Sequence, residues 1–285
     1  MPELPEVETI RRDLIKQVLN KKIKKVIIKK SRLVKNPDNF FIKNLVGNKI
    51  VAIDRIGKLI IFVLQNKLYL LTHLKMTGQL IYVKKKMRTV GGHSYKSDPM
   101  NYPNKYTYVV IEFADNSNLY FNDMRTFGYM QIVNEKELEL IKTKFGIEPL
   151  TKNFTFANWE KLFSNKKTNL KALLLNQQLI AGIGNIYADE ICFAAKIRPT
   201  RQVNKLTKQE VKELFNQTKK IIRQAIAKRG TTFNNYVDTL GRTGNFVKHL
   251  QVYGRNNDKC KICQTTIKKI KLAGRGTHFC PQCQV

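Results

Sequence analysis

The sequence predicts an α+β protein: an antiparallel β-sandwich or barrel first, a helical domain second, and a small cysteine-bearing hairpin last. Three observations carry this. Short β-rich runs separated by turn residues occupy 23–135, the apolar spacing turns helical from about Thr155, and two Cys-x2-Cys pairs are confined to the last 26 residues. A chain of 285 residues with 42% hydrophobic content can bury two ordinary cores.

The first element is a helix, because Val7, Ile10, Leu14 and Val18 recur on one face behind Pro5, and Glu3, Glu6 and Glu8 complement the dipole at its start. Strands are expected at 24–30, 49–53, 59–64, 68–72, 106–113 and 118–121. Residues 84–105 are rich in Lys, Gly and Pro without periodicity and are expected to be a disordered excursion. Helices follow at 156–163, 170–175, 186–195 and 207–228, and then a Gly/Thr/Asn-rich tract at 229–246. The boundaries expected are 1–135 for the β domain, 136–150 for a linker, 151–245 for the helical domain and 246–285 for the cysteine module.

With 52 Lys and Arg against 21 Asp and Glu, the formal charge is +31, which selects polyanionic partners, nucleic acid foremost. A membrane is disfavoured, since the longest apolar run, 59–64, is far short of the roughly 20 residues of a span. The opening Met-Pro-Glu-Leu-Pro-Glu has neither the basic segment nor the apolar stretch of a signal peptide, so a cytoplasmic location is expected.

Cys260, Cys263, Cys280 and Cys283 form two knuckles separated by sixteen residues, which lets two β-turns close a tetrahedral zinc site. Four cysteine ligands leave no open coordination position, so one purely structural zinc ion is expected. Lys268, Lys269, Lys271 and Arg275 lie between the knuckles, and the metal would shape a basic hairpin suited to a DNA backbone. Pro2 admits two readings on its own. It is part of a well-begun helix, or, once Met1 is removed, a free secondary amine able to form an iminium with a sugar aldehyde carbon.

Blocks along the chain carry a resemblance: Pro2-Glu3-Leu4-Pro5-Glu6-Val7-Glu8, Gly57-Lys58, His73-Leu74-Lys75-Met76-Thr77-Gly78, Asp123-Met124-Arg125-Thr126-Phe127-Gly128, Gly146-Ile147-Glu148-Pro149-Leu150, Ala181-Gly182-Ile183-Gly184-Asn185-Ile186-Tyr187-Ala188-Asp189-Glu190, Val252-Tyr253-Gly254-Arg255 and Gly274-Arg275-Gly276-Thr277-His278-Phe279-Cys280. In this order, closed by the cysteine module, they resemble the formamidopyrimidine-DNA glycosylase family over most of the chain. Leu4 separates it from the endonuclease VIII branch, which typically has glycine there.

The resemblance implies an N-terminal β-sandwich with flanking helices, a helix–two-turn–helix domain and a β-hairpin zinc finger. It implies a monomeric base-excision repair enzyme that works on damaged double-stranded DNA, cytoplasmic and nucleoid-associated when bound. Pro2 would attack the anomeric carbon of an oxidised purine nucleotide and expel the base, and β- and δ-elimination would then leave a one-nucleotide gap. Glu3 would be the general acid/base, Glu6 would hold the N-terminal turn against the helix, and Lys58 would contact the target phosphate. Met76, Arg125 and Phe127 would fill the stack vacated by a flipped base, although Met76 and Phe127 would otherwise be assigned to the core. Asn185, at the start of a helix after the two-turn linker, would bind phosphate together with Lys171 and Arg275. Residues 231–245 would correspond to the loop that closes over a flipped base.

Four departures stand out: Asn176 where the family usually has aspartate, Tyr106 and Tyr108 where it commonly has histidines, and Gly276 for a frequent serine. A non-catalytic zinc-finger DNA-binding protein on the same fold is the alternative, disfavoured by the trio Pro2, Glu3 and Lys58.

Overall fold

The computed structural model describes residues 1–84, 87–92, 102–164, 166–231 and 245–285. They divide into two compact units, one of residues 1–143 with 228–247 and the other of 144–227 with 248–285.

The first unit opens with α1 (Leu4–Val18), whose apolar positions Val7, Ile10, Leu14 and Val18 are all buried as the spacing requires. Glu3, Glu6, Glu8 and Asp13 are buried as well, so the polar side of this helix is also engaged. Then come β1 (Ile23–Ile28), α2 (Asp38–Leu45), β2 (Ile50–Ile56), β3 (Leu59–Leu64), β4 (Tyr69–His73), β5 (Gly78–Lys84), β6 (Met87–Gly92), β7 (Thr107–Phe113), β8 (Asn118–Asp123), β9 (Tyr129–Val133) and α3 (Glu135–Lys142). Among the described residues, every pairing between these strands is antiparallel. A five-stranded sheet runs β1-β7-β8-β5-β6 and a four-stranded sheet β2-β3-β4-β9. One apolar cluster, with Phe62 and Leu70 from one sheet, Leu80, Phe113 and Phe121 from the other, and Ile10 and Leu14 from α1, is shared by both. The arrangement is a sandwich rather than a barrel, with helices flanking it.

The local pattern had not revealed β5, β6, β9, α2 and α3. β5 is sandwiched in its sheet between β8 and β6, in register Gln79 to Asn122 and Gln79 to Gly92. Its strand character comes from partners tens of residues away, which no local periodicity records. β6 lies within the tract expected to be disordered and corrects that expectation for 87–92; residues 85–86 and 93–101 lie outside the described ones. α3 occupies much of the stretch expected as a linker.

The second unit contains α4 (Phe156–Lys161), α5 (Leu170–Leu175), α6 (Asn185–Ala194) and α7 (Lys208–Ala227), followed by the hairpin β10 (Lys268–Leu272) and β11 (Arg275–Phe279). Trp159 is fully buried against Phe154, Phe163 and Phe215 and donates its indole N–H to the Val211 carbonyl at 3.1 Å, satisfying its one polar atom. No helix among the described residues is long and apolar enough to cross a membrane.

Residues 228–247 pack with the first unit instead of continuing the helical domain. The cause is electrostatic: Arg229 pairs with Asp13 at 2.6 Å, and the Glu6 carboxylate accepts the Thr231 N–H at 2.7 Å. The proposed base-covering loop at 231–245 has both ends in view, where Thr231 bridges Asn245; residues 232–244 lie outside the described ones.

Candidate active site and nucleic-acid contacts

The N-terminal turn is built by reciprocal hydrogen bonding at the start of α1. Glu3 occupies the N-cap position, its N–H donates to the Glu6 carboxylate at 2.8 Å, and its carbonyl accepts the Val7 N–H at 3.0 Å. The second Glu6 oxygen takes the Thr231 N–H and hydroxyl, so one carboxylate joins the turn to a segment 225 residues away. Pro2 and Glu3 are buried, and Lys58, on the β2–β3 turn, is only 6% exposed.

The α-amine of Met1 sits among Glu3, Glu6, Lys58 and Arg125. Burial pushes its pKa below the ordinary value, aided by the Lys58 and Arg125 cations, while Glu3 and Glu6 work in the opposite sense. The pocket therefore favours a neutral, nucleophilic amine at the head of α1, beside a carboxyl and a lysine. That is the equipment for attack on an electrophilic carbon with local proton transfer.

The two turns bearing Met76 and the Arg125/Phe127 pair are fastened to each other. Thr77 donates its hydroxyl to the fully buried Asp123 carboxylate, which also accepts the N–H of Arg125 at 3.1 Å and of Gly128 at 2.7 Å. Phe127 is 50% exposed and Arg125 is exposed, with its guanidinium 4.8 Å from the Phe127 ring centre, while Met76 is half-buried. Phe127 therefore leaves the core that its residue type would favour. Met124, exposed beside them, carried no signal beyond its motif.

His73 ends β4, directly before the turn that bears Met76. Its Nδ1 accepts the Lys75 N–H at 3.0 Å, which leaves Nε2 as the proton-bearing atom. Burial and the cations of Lys75, Lys58 and Lys35 push its pKa down to about 3, so it stands as a neutral hydrogen-bond donor within a cationic cluster. Lys35 lies 4.2 Å over the Tyr129 ring, itself 5.8 Å from His73. As one lysine in a very basic chain, Lys35 had no pattern to single it out.

In the second unit, Gln177 clamps the linker between α5 and α6. Its Nε2 donates to the Ile183 carbonyl at 2.7 Å and its Oε1 accepts the Gly182 N–H at 2.9 Å. Gly182 needs its residue type, because φ is +93° there. α6 begins at Asn185, with Gly184 in extended conformation at its N-cap position. Asn185 Nδ2 donates to the Gly276 carbonyl at 3.1 Å, next to the exposed Arg275.

Lys171, expected on a phosphate, is corrected. It is 0% exposed, pairs with Asp189 at 2.6 Å and donates to the Gly276 carbonyl at 3.2 Å. A buried ammonium requires such a partner, and Asp189 also receives the His278 N–H at 2.9 Å. Lys171 thus fixes the hairpin that presents Arg275. Glu190 holds the other edge of the module, its carboxylate accepting the N–H groups of Gln251, Val252 and Tyr253, each at 2.9 Å.

The departures fit locally. Asn176 Oδ1 accepts the Gln178 N–H at 2.9 Å, a bond that aspartate would also make. A Cβ on Gly276 would meet only the flexible end of Lys269, so serine is sterically open there. Tyr108 is buried in the sandwich, and Tyr106 is half-buried under Lys105.

The sulfurs of Cys260, Cys263, Cys280 and Cys283 lie within 4.8 Å of one another, with Cys260 to Cys283 at 3.9 Å and Cys263 to Cys280 at 3.4 Å. Four thiolates around a zinc ion with bonds near 2.3 Å sit about 3.8 Å apart, so the cluster fits one tetrahedral zinc. The N–H of Ile262 donates to the Cys260 sulfur at 3.5 Å, and that of Cys283 to the Cys280 sulfur at 3.4 Å. Cys192 is separate: it is fully buried, and burial pushes its thiol far up.

Comparison with known proteins bears on all of this. Residues 1–130 match the model of the formamidopyrimidine-DNA glycosylase N-terminal domain, 145–236 that of the H2TH domain of the same glycosylases, and 257–285 the zinc finger found in FPG and IleRS. The chain is 42% identical to the formamidopyrimidine-DNA glycosylase of Listeria monocytogenes, covering 100% of both chains. It is 40% identical to that of Ligilactobacillus salivarius, covering 100% of this chain and 99% of the relative. A mutant Lactococcus lactis protein, solved in complex with a Fapy-dG-containing DNA, resembles it with a TM-score of 0.88 at 34% identity, over 99% of each chain. The wild-type Lactococcus lactis protein with an oxidised-pyrimidine-containing DNA gives 0.86 at 34% identity, again over 99% of each.

Proposed function

The chain belongs to the formamidopyrimidine-DNA glycosylase family, and from that membership and the N-terminal pocket we propose that Pro2, freed by removal of Met1, is its nucleophile. The protein is a base-excision repair glycosylase that acts on oxidised lesions in DNA and carries one structural zinc ion. The observation that supports this reading most directly is that the pocket beside Glu3 and Lys58 depresses the α-amine it now holds, that of Met1, and the Pro2 amine would inherit those surroundings. In our reading, the Pro2 nitrogen attacks the anomeric carbon of an oxidised purine nucleotide, and the base leaves as Glu3 assists sugar-ring opening by proton transfer. The resulting iminium acidifies the adjacent sugar carbon, and successive β- and δ-elimination expel the two flanking phosphates. Lys58 and the neutral His73 serve the phosphate at the lesion. Arg125 and Phe127, exposed on their tied turn, and Met76 occupy the vacated stack.

Asn185 at the start of α6 and Arg275 at the hairpin tip contact DNA phosphates, while Lys171 acts indirectly by holding the Gly276 carbonyl. Its zinc is structural, since the four cysteines leave no position for substrate. We place the work in the cytoplasm, on chromosomal DNA, by a single chain.

Incision of duplexes carrying 8-oxoguanine or formamidopyrimidine is the test. Base release with a one-nucleotide gap bearing phosphates at both ends is expected; base release without strand scission overturns the iminium route. A second expectation concerns Arg275→Ala. Each neutralised phosphate contributes about −0.9 to the slope of log affinity against log salt, so the slope should become shallower by roughly one unit. A slope equal to wild type removes Arg275 from the phosphate contacts.

A further inference from the structure

Glu8 is the hub of a cluster that the catalytic reading leaves unused. Arg11 grips its carboxylate with Nε at 2.9 Å and Nη2 at 3.0 Å, Arg12 adds Nε at 2.7 Å, and Arg55 adds Nε at 3.1 Å. Burial acts to raise the Glu8 pKa, and the arginines outweigh it, bringing it down to about 2; the carboxylate stays ionised at neutral pH. Two of these arginines use their remaining donors on backbone. Arg11 Nη1 donates to the Ile53 carbonyl at 3.0 Å, and Arg55 Nη1 to the Gly57 carbonyl at 3.1 Å. α1 is thereby tied both to β2 and to the turn that follows it.

We propose that Arg55, oriented by Glu8, is a positioning residue that sets Lys58 against the N-terminal turn carrying Pro2 and Glu3. This rests on the reading of Lys58 as part of the catalytic pocket. The physical link is the peptide plane: the Gly57 carbonyl and the Lys58 N–H belong to one rigid unit, so fixing the oxygen fixes where the Lys58 Cα, from which its side chain departs, is placed. Gly57 has φ of +55°, a conformation that puts no side chain of its own in the way and leaves the turn's orientation to its partners. Arg55 and Glu8 have side chains only 11% and 8% exposed, so solvent competes little for the contact. Glu8 lies on the helix that begins with the N-terminal turn. The chain Glu8–Arg55–Gly57 therefore sets one half of the pocket by reference to the other. A lysine at 55 has a single ammonium and cannot reproduce the fork that spans Glu8 and Gly57.

The test uses the full chain, an 8-oxoguanine duplex, single-turnover excision rates and the Kd for the same duplex. Arg55→Met is expected to slow excision by about tenfold to a hundredfold, the scale of a roughly 1 Å misplacement of a reacting group, with Kd raised no further than Lys58→Met raises it. Arg55→Lys should slow it comparably, and it covers the case in which the methionine variant fails to fold. In a Lys58→Met background, Arg55→Met should cause no further slowing, because it acts through Lys58; a merely structural role would multiply the two losses. Multiplying losses, a rise in Kd beyond that of Lys58→Met, or full activity in Arg55→Lys overturns the proposal. A Lys58→Met protein that excises at the wild-type rate removes the underlying reading instead. A slow Lys58→Met beside a wild-type-rate Arg55→Met overturns the positioning role alone.

Discussion

Borohydride is expected to trap a covalent adduct between the protein and an 8-oxoguanine duplex, with the attachment mapping to Pro2. The two amines in the pocket differ in the protons they hold. An α-amine has a reference pKa near 8 and a lysine one near 10.4, and in this structure burial, with the Lys58 and Arg125 cations, lowers the Met1 α-amine that occupies the pocket. At neutral pH the α-amine has a usable lone pair, and Lys58 supplies charge. While Met1 remains, the Pro2 nitrogen is a tertiary amide with no lone pair to offer, so a protein whose Met1 is retained should give no adduct at Pro2. Glu3→Gln should impair base excision strongly and cleavage of a preformed abasic site much less, because the abasic sugar already presents its aldehyde carbon. An adduct on Lys58, or normal trapping with Met1 in place, would refute the proline route while leaving the family assignment standing.

Removing the zinc should be nearly as drastic, and confined to one part of the molecule. The cysteine module contributes only a small apolar cluster, Val252 and Ile267 around buried Cys260 and Cys280, completed by Phe193 of α6. Such a cluster cannot offset the entropy of ordering the module, whereas a structural zinc contributes about 10–16 kcal/mol to folding in isolated fingers. Chelation or Cys263→Ser should disorder the hairpin and release Arg275 from its place beside Asn185. The Kd for damaged duplex should then rise toward the ~10⁻⁶–10⁻⁴ M of non-specific association. The sandwich, whose core contains no metal ligand, should keep its thermal transition. Undiminished affinity in metal-free protein would count against this, as would joint melting of both units.

The metal site and the catalytic turn were legible because their chemistry is encoded at short range. Two Cys-x2-Cys knuckles specify a tetrahedral site wherever they fold, and the spacing of Val7, Ile10, Leu14 and Val18 specifies a buried helical face. Charge chose the partner, because +31 on 285 residues needs a polyanion. Residue type alone misjudged Phe127, which is half-exposed because Asp123 and Thr77 hold its turn. The family resemblance implies a phosphate contact for Lys171, yet in the structure Asp189 draws its ammonium fully inside. The roles of Arg55 and Lys35 were not visible in the sequence. Each depends on a group far away in sequence, such as Glu8 for Arg55, and an abundant residue type gives no hint of which copy meets which partner. By itself the sequence determined the classes of element, the zinc ligands and the residues capable of the chemistry, since these follow from local spacing and functional groups. Tertiary structure alone decided strand order, which cations are buried and which face outward, and the pocket's effect on its amine, because burial and Coulomb interaction depend on distances that only the folded chain defines.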